Sequence, residues 1–212
     1  MEDILEEPET IVEKDMFFSI WTKPTQTFAY IFKFCPTKHV NGIIHIYGIA
    51  NALAVNLVFL LNHTRFSILL IIITALLGWL FAWLGVYILS SLMSWSGGWI
   101  GAHAGMDQFV TVAAWSFIPS IVSVFPLAVQ AIIFGNSDSI DLMTDQNMIM
   151  RFLYYLLMIA GFVLTIWSLV IFVRGTAVIQ KLDYKKAILN VILAVSVMIF
   201  PIVIIAGLIY LL

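Results

Sequence analysis

Five long apolar runs constrain this chain more than any other feature. They cover about residues 40–61, 66–93, 109–134, 150–173 and 187–212, and no Asp, Glu, Lys or Arg stands at the centre of any of them. A helix needs about 20 mostly apolar residues to cross about 30 Å of hydrocarbon, and every run is long enough. The runs are continuous rather than alternating, which excludes the strands of a barrel. In lipid the backbone must bond to itself, so helices are the remaining solution. Only 10% of the 212 residues are charged, against about 25% in a soluble domain. The expected fold class is an all-α integral membrane protein with five transmembrane helices.

The connections set the orientation. Lys14, Lys23, Lys33 and Lys38 precede the first span, and Arg174, Lys181, Lys185 and Lys186 lie between the fourth and fifth. Arg65 and Arg151 fall on the other side. The excess of basic residues marks the cytoplasmic side. The N-terminus is thus expected in the cytoplasm and the C-terminus outside, in a multi-pass protein of the bacterial inner membrane. The first two spans are joined by HTRF, which holds His63 and implies an antiparallel hairpin. The third connection carries Asp138, Asp141 and Asp145.

Three regions are expected: an acidic leader (1–15), an interfacial helix region (16–38) and the five-helix domain (39–212). The leader has no basic stretch before an apolar core, so it is not a signal peptide of the usual kind, and the first span must act as an uncleaved insertion signal. Within 16–38, Pro24 suits the first turn of a helix, whose apolar face would carry Phe28, Ile31 and Phe32. Two placements stay open for this amphipathic helix: flat on the membrane, or packed on the ends of the spans. The lone Cys35 excludes an intramolecular disulfide and a CxxC motif. The net charge of −2 argues against nucleic acid as a partner.

The stretch WSGGWIGAHAGMDQF, residues 95–109, is the most conspicuous connection. Its glycines lack the lysine of a phosphate loop and the strand of a dinucleotide fold. Gly97 and Gly98 are expected to take positive φ in a cytoplasmic turn. Trp95 and Trp99 suit the membrane interface, and Asp107 suits a helix start. His103 and Asp107 stand four apart and could pair.

Three stretches resemble the Yip domain family of five-span membrane proteins. IWTKPTQTFAYI is similar to its opening pattern, through Trp21, Pro24, Thr27 and Phe28. GGWIGAHAGMDQFVTVAAWSFIP is similar to its glycine-rich turn and third span, through Gly97, Gly98, Trp115, Ser116 and Pro119. IWSLVIFVRGTAVIQKLDYKKAILNVIL is similar to its fourth span, basic loop and fifth-span start, through Gly175, Lys186 and Ala187. The remaining spans extend the likeness over about residues 16–212. The eukaryotic relatives carry a longer cytosolic N-terminal region and are linked to small GTPases. This chain has a short acidic leader and looks more like compact bacterial members, which puts a small GTPase partner in doubt. The resemblance implies no enzymatic activity.

The residues themselves offer little chemistry. Ionisable groups deep in a span are expensive and usually functional, and none of Asp, Glu, Lys or Arg is found there. His39, His45, His63 and His103 form no HExxH or Cys/His set, and a zinc site needs three or four ligands; no metal and no cofactor is expected. Ser96, His103 and Asp107 could be drawn as a triad of a lipid-modifying enzyme, but no GxSxG elbow surrounds the serine. Asn51, Asn56, Ser116, Ser120, Ser123, Gln130 and Asn190 are mild polar residues inside spans. They are expected to bond between helices, or to line a lipid-headgroup cleft. His45, Asn51 and Asn56 could make one polar line on the first span. Pro119 and Pro126 should kink the third span. In the second span Ala75, Gly78, Ala82 and Gly85 form a stripe of small residues suited to close helix packing.

The leading expectation is a non-enzymatic membrane protein that organises membrane protein partners, copies of itself or membrane lipids. Its candidate contact surface comprises Trp21, Pro24, Phe28, Gly97, Gly98, His103, Asp107, Lys181, Lys185 and Lys186. The alternative is a small transporter or channel.

Overall fold

The structure, a computed structural model, describes residues 13–61, 68–135 and 148–211. His63, Arg65, the three aspartates of the third connection and most of the acidic leader lie outside them. The described residues are all-helical, with no strand, and five stretches are long and apolar enough to cross a membrane. A 3-10 turn (Glu13–Asp15) leads into α1 (Met16–Thr22) and α2 (Pro24–Phe34). The spans are α3 (Val40–Leu61), α4 (Ile68–Trp99), a third span in three pieces, α8 (Met148–Gln180) and α9 (Tyr184–Leu211). The pieces are α5 (Met106–Ser116), α6 (Ile118–Val122) and α7 (Val124–Phe134).

The breaks in the third span follow from its prolines. A proline lacks the N–H for the preceding turn and is best placed in the first turn of a helix, although Pro201 is accommodated inside α9. Pro119 accordingly sits at the start of α6 and Pro126 in the first turn of α7. Side-chain hydroxyls add donors to backbone carbonyls near these breaks. Ser123 donates to the Ser120 carbonyl at 2.7 Å, and Ser168 donates to the Ser116 carbonyl.

The chain forms two compact units. The first joins residues up to Val40 with Leu84–Trp115 and Val170–Leu212, and the second joins Asn41–Trp83 with Ser116–Leu169. In the first unit, two helices replace the one expected before the spans, because Pro24 starts a new helix after Lys23. Met16, Ile20, Phe28 and Ile31 are fully buried, so the apolar faces of α1 and α2 pack within this unit. A Cβ on Gly175 would come within 2.6 Å of the Phe28 ring and 2.7 Å of Val112. Only glycine lets α2 approach so closely. Cys35 ends α2, half-buried and 3.8 Å from the Met16 sulfur. Burial pushes its thiol above the ordinary range. A raised pKa leaves the protonated form dominant at pH 7, and the thiolate is the reactive species. Maleimide labelling of Cys35 should therefore be slow at pH 7 and rise through and beyond pH 9; rapid labelling at pH 7 would contradict this.

In the second unit, α3 meets α4 at a crossing of small residues. A Cβ on Gly78 would stand 2.8 Å from the Ala52 methyl and closer still to the Gly48 carbonyl oxygen. A Cβ on Gly48 would reciprocally meet Ala82 at 2.6 Å. Gly85, also in the predicted stripe, has nothing within 4 Å of such a Cβ and takes no part in the crossing. Polar bonds flank it. Trp83 Nε1 donates to His45 Nε2 at 3.1 Å, and His45 Nδ1 lies 3.1 Å from the Trp79 carbonyl. An indole nitrogen only donates, so the hydrogen of His45 is assigned to Nδ1. Asn56 donates to Thr74 and to the Ala52 carbonyl, both at 2.7 Å. The polar line expected on α3 is therefore divided: His45 and Asn56 bond to α4, whereas Asn51 forms no side-chain hydrogen bond among the described residues.

Candidate functional site

The predicted contact residues fall in the first unit, and the glycine stretch there differs from expectation. Helix α4 runs on through Ser94–Gly98 to Trp99, so Gly97 and Gly98 are helical, and neither has positive φ. The left-handed residue is Gly101, at φ 76°. Ala102 N–H donates to the Gly97 carbonyl at 2.9 Å and Gly101 N–H to that of Gly98 at 3.3 Å. This pair of bonds is a Schellman C-cap with glycine at C′. Gly97 is glycine for a different reason. A Cβ there would fall 2.6 Å from Gln180 Nε2 and 3.3 Å from Asn190 Nδ2.

The next helix is capped by its own side chain. Gln108 accepts a hydrogen bond from the Gly105 N–H at 3.1 Å, the reciprocal half of a capping box. Asp107 is exposed in the first turn of α5, where the helix dipole favours it. His103 is exposed in the turn before that helix. The two are not on one helix, and they form no pair. Ser96 is fully buried and donates to Asn190 Oδ1 at 2.6 Å. Asn190 Nδ2 donates in turn to the Met93 carbonyl at 3.1 Å. Ser96, His103 and Asp107 thus make no catalytic triad here. Among the described residues, no three His, Cys, Asp or Glu side chains come together in a metal-binding group.

Helix α8 ends in the same C-cap, but with a lysine at C′. Leu182 N–H reaches the Ala177 carbonyl at 3.2 Å and Lys181 N–H that of Val178 at 3.3 Å. Lys181 takes φ 52°, a conformation that costs a non-glycine residue about 1–2 kcal/mol. Lys181, Lys185 and Lys186 are all exposed. Trp95 and Trp99 are exposed as an edge-to-face pair at 4.8 Å. Trp21 is half-buried, while Pro24, Phe28 and Gly97 are buried. These last three lie beneath the surface rather than forming it.

The second unit contains a pocket of about 360 Å³. Its polar lining comes from Tyr47 and Asn51 on α3, Ser120, Ser123 and Gln130 of the third span, and Thr165 on α8. Leu127, Leu157, Met158 and Phe162 add apolar surface. Ser120 and Ser123, which line this space, lie in and just after the short piece α6 between the two breaks. The Tyr47 ring stacks on Phe117, with centroids 3.8 Å apart and planes 11° apart. Gln130 is 4% exposed and, like Asn51, forms no side-chain hydrogen bond among the described residues. The lining contains no Asp, Glu, Lys, Arg or His. The polar residues and the kink were legible in the sequence. Tyr47, Gly161 and Thr165 were not singled out, because nothing local marks residues from three spans that converge.

Comparison with curated proteins and with solved structures gives no match. Comparison with family models does: the Yip1 domain model matches residues 18–205, from α1 through most of α9. The match includes the docked N-terminal helices and all five spans, and the chain belongs to the Yip1 domain family.

Proposed function

We propose that this chain is a non-enzymatic Yip-type protein of a bacterial inner membrane that organises membrane protein partners or lipids. The observation that carries this reading is the distribution of charge. The four lysines before the first span and the four basic residues of the last connection all belong to the first unit and are all exposed. The second unit has Arg151 alone among its described residues. Such a basic face suits the cytoplasmic side and acidic lipid heads or an acidic partner surface. Lys181 supports the reading further. Glycine would relieve its backbone strain, so a lysine there is best explained by a use for its charge.

Two measurements test this. A reporter fused after Leu212 should read outside the cytoplasm, and cytoplasmic readout would overturn the topology. Full-length protein in mild detergent should retain anionic lipid or a partner protein. Replacing Lys181, Lys185 and Lys186 together by alanine should reduce that retention severalfold. Equal retention would overturn the role given to this face. A second reading, a small transporter or channel, is favoured by the broken third span, since irregular backbone at membrane depth is tolerated where it lines a cavity. Solute flux into liposomes that is absent without the protein would support it.

A further inference from the structure

The pocket of the second unit lies deep in the span region. Asn51 is midway along α3 (Val40–Leu61), Ser120 and Ser123 are midway along Met106–Phe134, and Thr165 is midway along α8 (Met148–Gln180). At about 1.5 Å per residue, Asn51 is on the order of 15 Å from either end of its helix. Two carboxamides line the pocket, the exposed Asn51 and the 96%-buried Gln130, which stands about one helical turn from the end of its span; neither has a partner within the described residues. Polar groups in hydrocarbon carry a penalty until something bonds to them. A carboxamide both donates and accepts. The hydroxyls of Ser123 and Thr165 already give their hydrogens to backbone carbonyls, at 2.7 and 3.0 Å, so they can only accept, whereas those of Tyr47 and Ser120 can donate or accept. A ligand with carbonyls for the amide and hydroxyl donors and a hydroxyl for the serine and threonine oxygens complements this lining. It must also be uncharged, because no lining residue could compensate a phosphate or an ammonium in a medium without water.

We propose that this pocket binds the head of a neutral glycerolipid of the diacylglycerol class, which has one free hydroxyl, two ester carbonyls and no charge. This inference is independent of the role given to the first unit. A volume of about 360 Å³ is near the lower limit for small-molecule pockets, enough for a head but not for two acyl chains. The chains have a way out. Met158 and Phe162, one turn apart on α8, are 48% and 66% exposed and form a rim on the lipid-facing side. Lacking a phosphate, such a lipid can sink to mid-membrane depth, whereas a phospholipid head is held at the interface.

The full-length protein in phosphatidylcholine nanodiscs doped with dioleoylglycerol tests the proposal, with bound lipid counted by mass spectrometry after removal of free lipid. The wild type should retain about one dioleoylglycerol per chain. Gln130→Leu combined with Asn51→Leu should lower its affinity about tenfold, the equivalent of one hydrogen bond of about 1.4 kcal/mol. Because Gln130 is buried and its variant could fold poorly, Met158→Trp provides a second probe. It narrows the rim at an exposed position and should also reduce retention severalfold, with the thermal unfolding temperature unchanged. Dioleoyl phosphatidic acid, with the same chains and a phosphate, should not compete. Equal retention by the wild type and both variants would overturn the proposal, as would effective competition by phosphatidic acid.

Discussion

Gly78→Ala is expected to lower the stability of the detergent-solubilised protein by about 1–3 kcal/mol, the usual cost of overpacking. That corresponds to a fall of about 2–12 °C in unfolding temperature for a chain of this size. One methyl group suffices because its nearest neighbours are the Gly48 carbonyl and the Ala52 methyl, and backbone cannot move aside as a flexible side chain can. Gly48→Ala should have a similar effect. The double variant should cost less than the sum of the two, since either substitution alone already separates the same helices. Gly85→Ala is the matched control from the same stripe and should be neutral, with open space around its new methyl. Thermal unfolding of the four variants checks all of this, and a neutral Gly78→Ala would show that α3 and α4 do not cross at this point.

The second large effect is expected at Gly175. Alanine there would place its methyl 2.6 Å from the Phe28 ring and 2.7 Å from Val112. The ring is fully buried and has nowhere to swing, so α2 should be displaced from its seat. Local opening then becomes easier. Cleavage by trypsin after Lys33, which is exposed but held in α2, should accelerate about tenfold for a loss of about 1.4 kcal/mol. Phe28→Leu in the same chain should restore part of the protection by removing ring atoms. Unchanged cleavage in Gly175→Ala would mean that α2 is not seated on Gly175.

The membrane spans were readable because hydropathy reports what lipid selects: long runs without charge. Their ends were read less well. The apolar run of the second span stops near Met93, yet α4 continues to Trp99, and α8 passes Val173 to reach Gln180. A helix ends where its carbonyls find caps, not where its side chains become polar. The glycines show the same distinction. A glycine-rich stretch implied a turn correctly, but composition could not say which glycine turns. The bonds back to Gly97 and Gly98 assign that task to Gly101. The small-residue crossing was half visible. Gly78 and Ala82 were recognisable on the second span, whereas Gly48 and Ala52 on the first matter only because the two helices meet there. The pocket was least legible, since its polar groups come from three spans and only folding brings them together.

The serines, threonines and asparagine inside the spans bear on how such a chain enters a membrane at all. Thr74 donates to the Leu70 carbonyl, Thr165 to that of Gly161, Asn56 to that of Ala52 and Ser123 to that of Ser120. Each bond lies within its own span and spans three or four residues, so it can form as soon as that segment is helical, before any other span arrives. A hydropathy scale charges these residues their full polar cost. The inserting helix instead presents lipid with hydroxyl and amide donors already bonded to its own backbone, and it is more apolar to the membrane than its residue count implies.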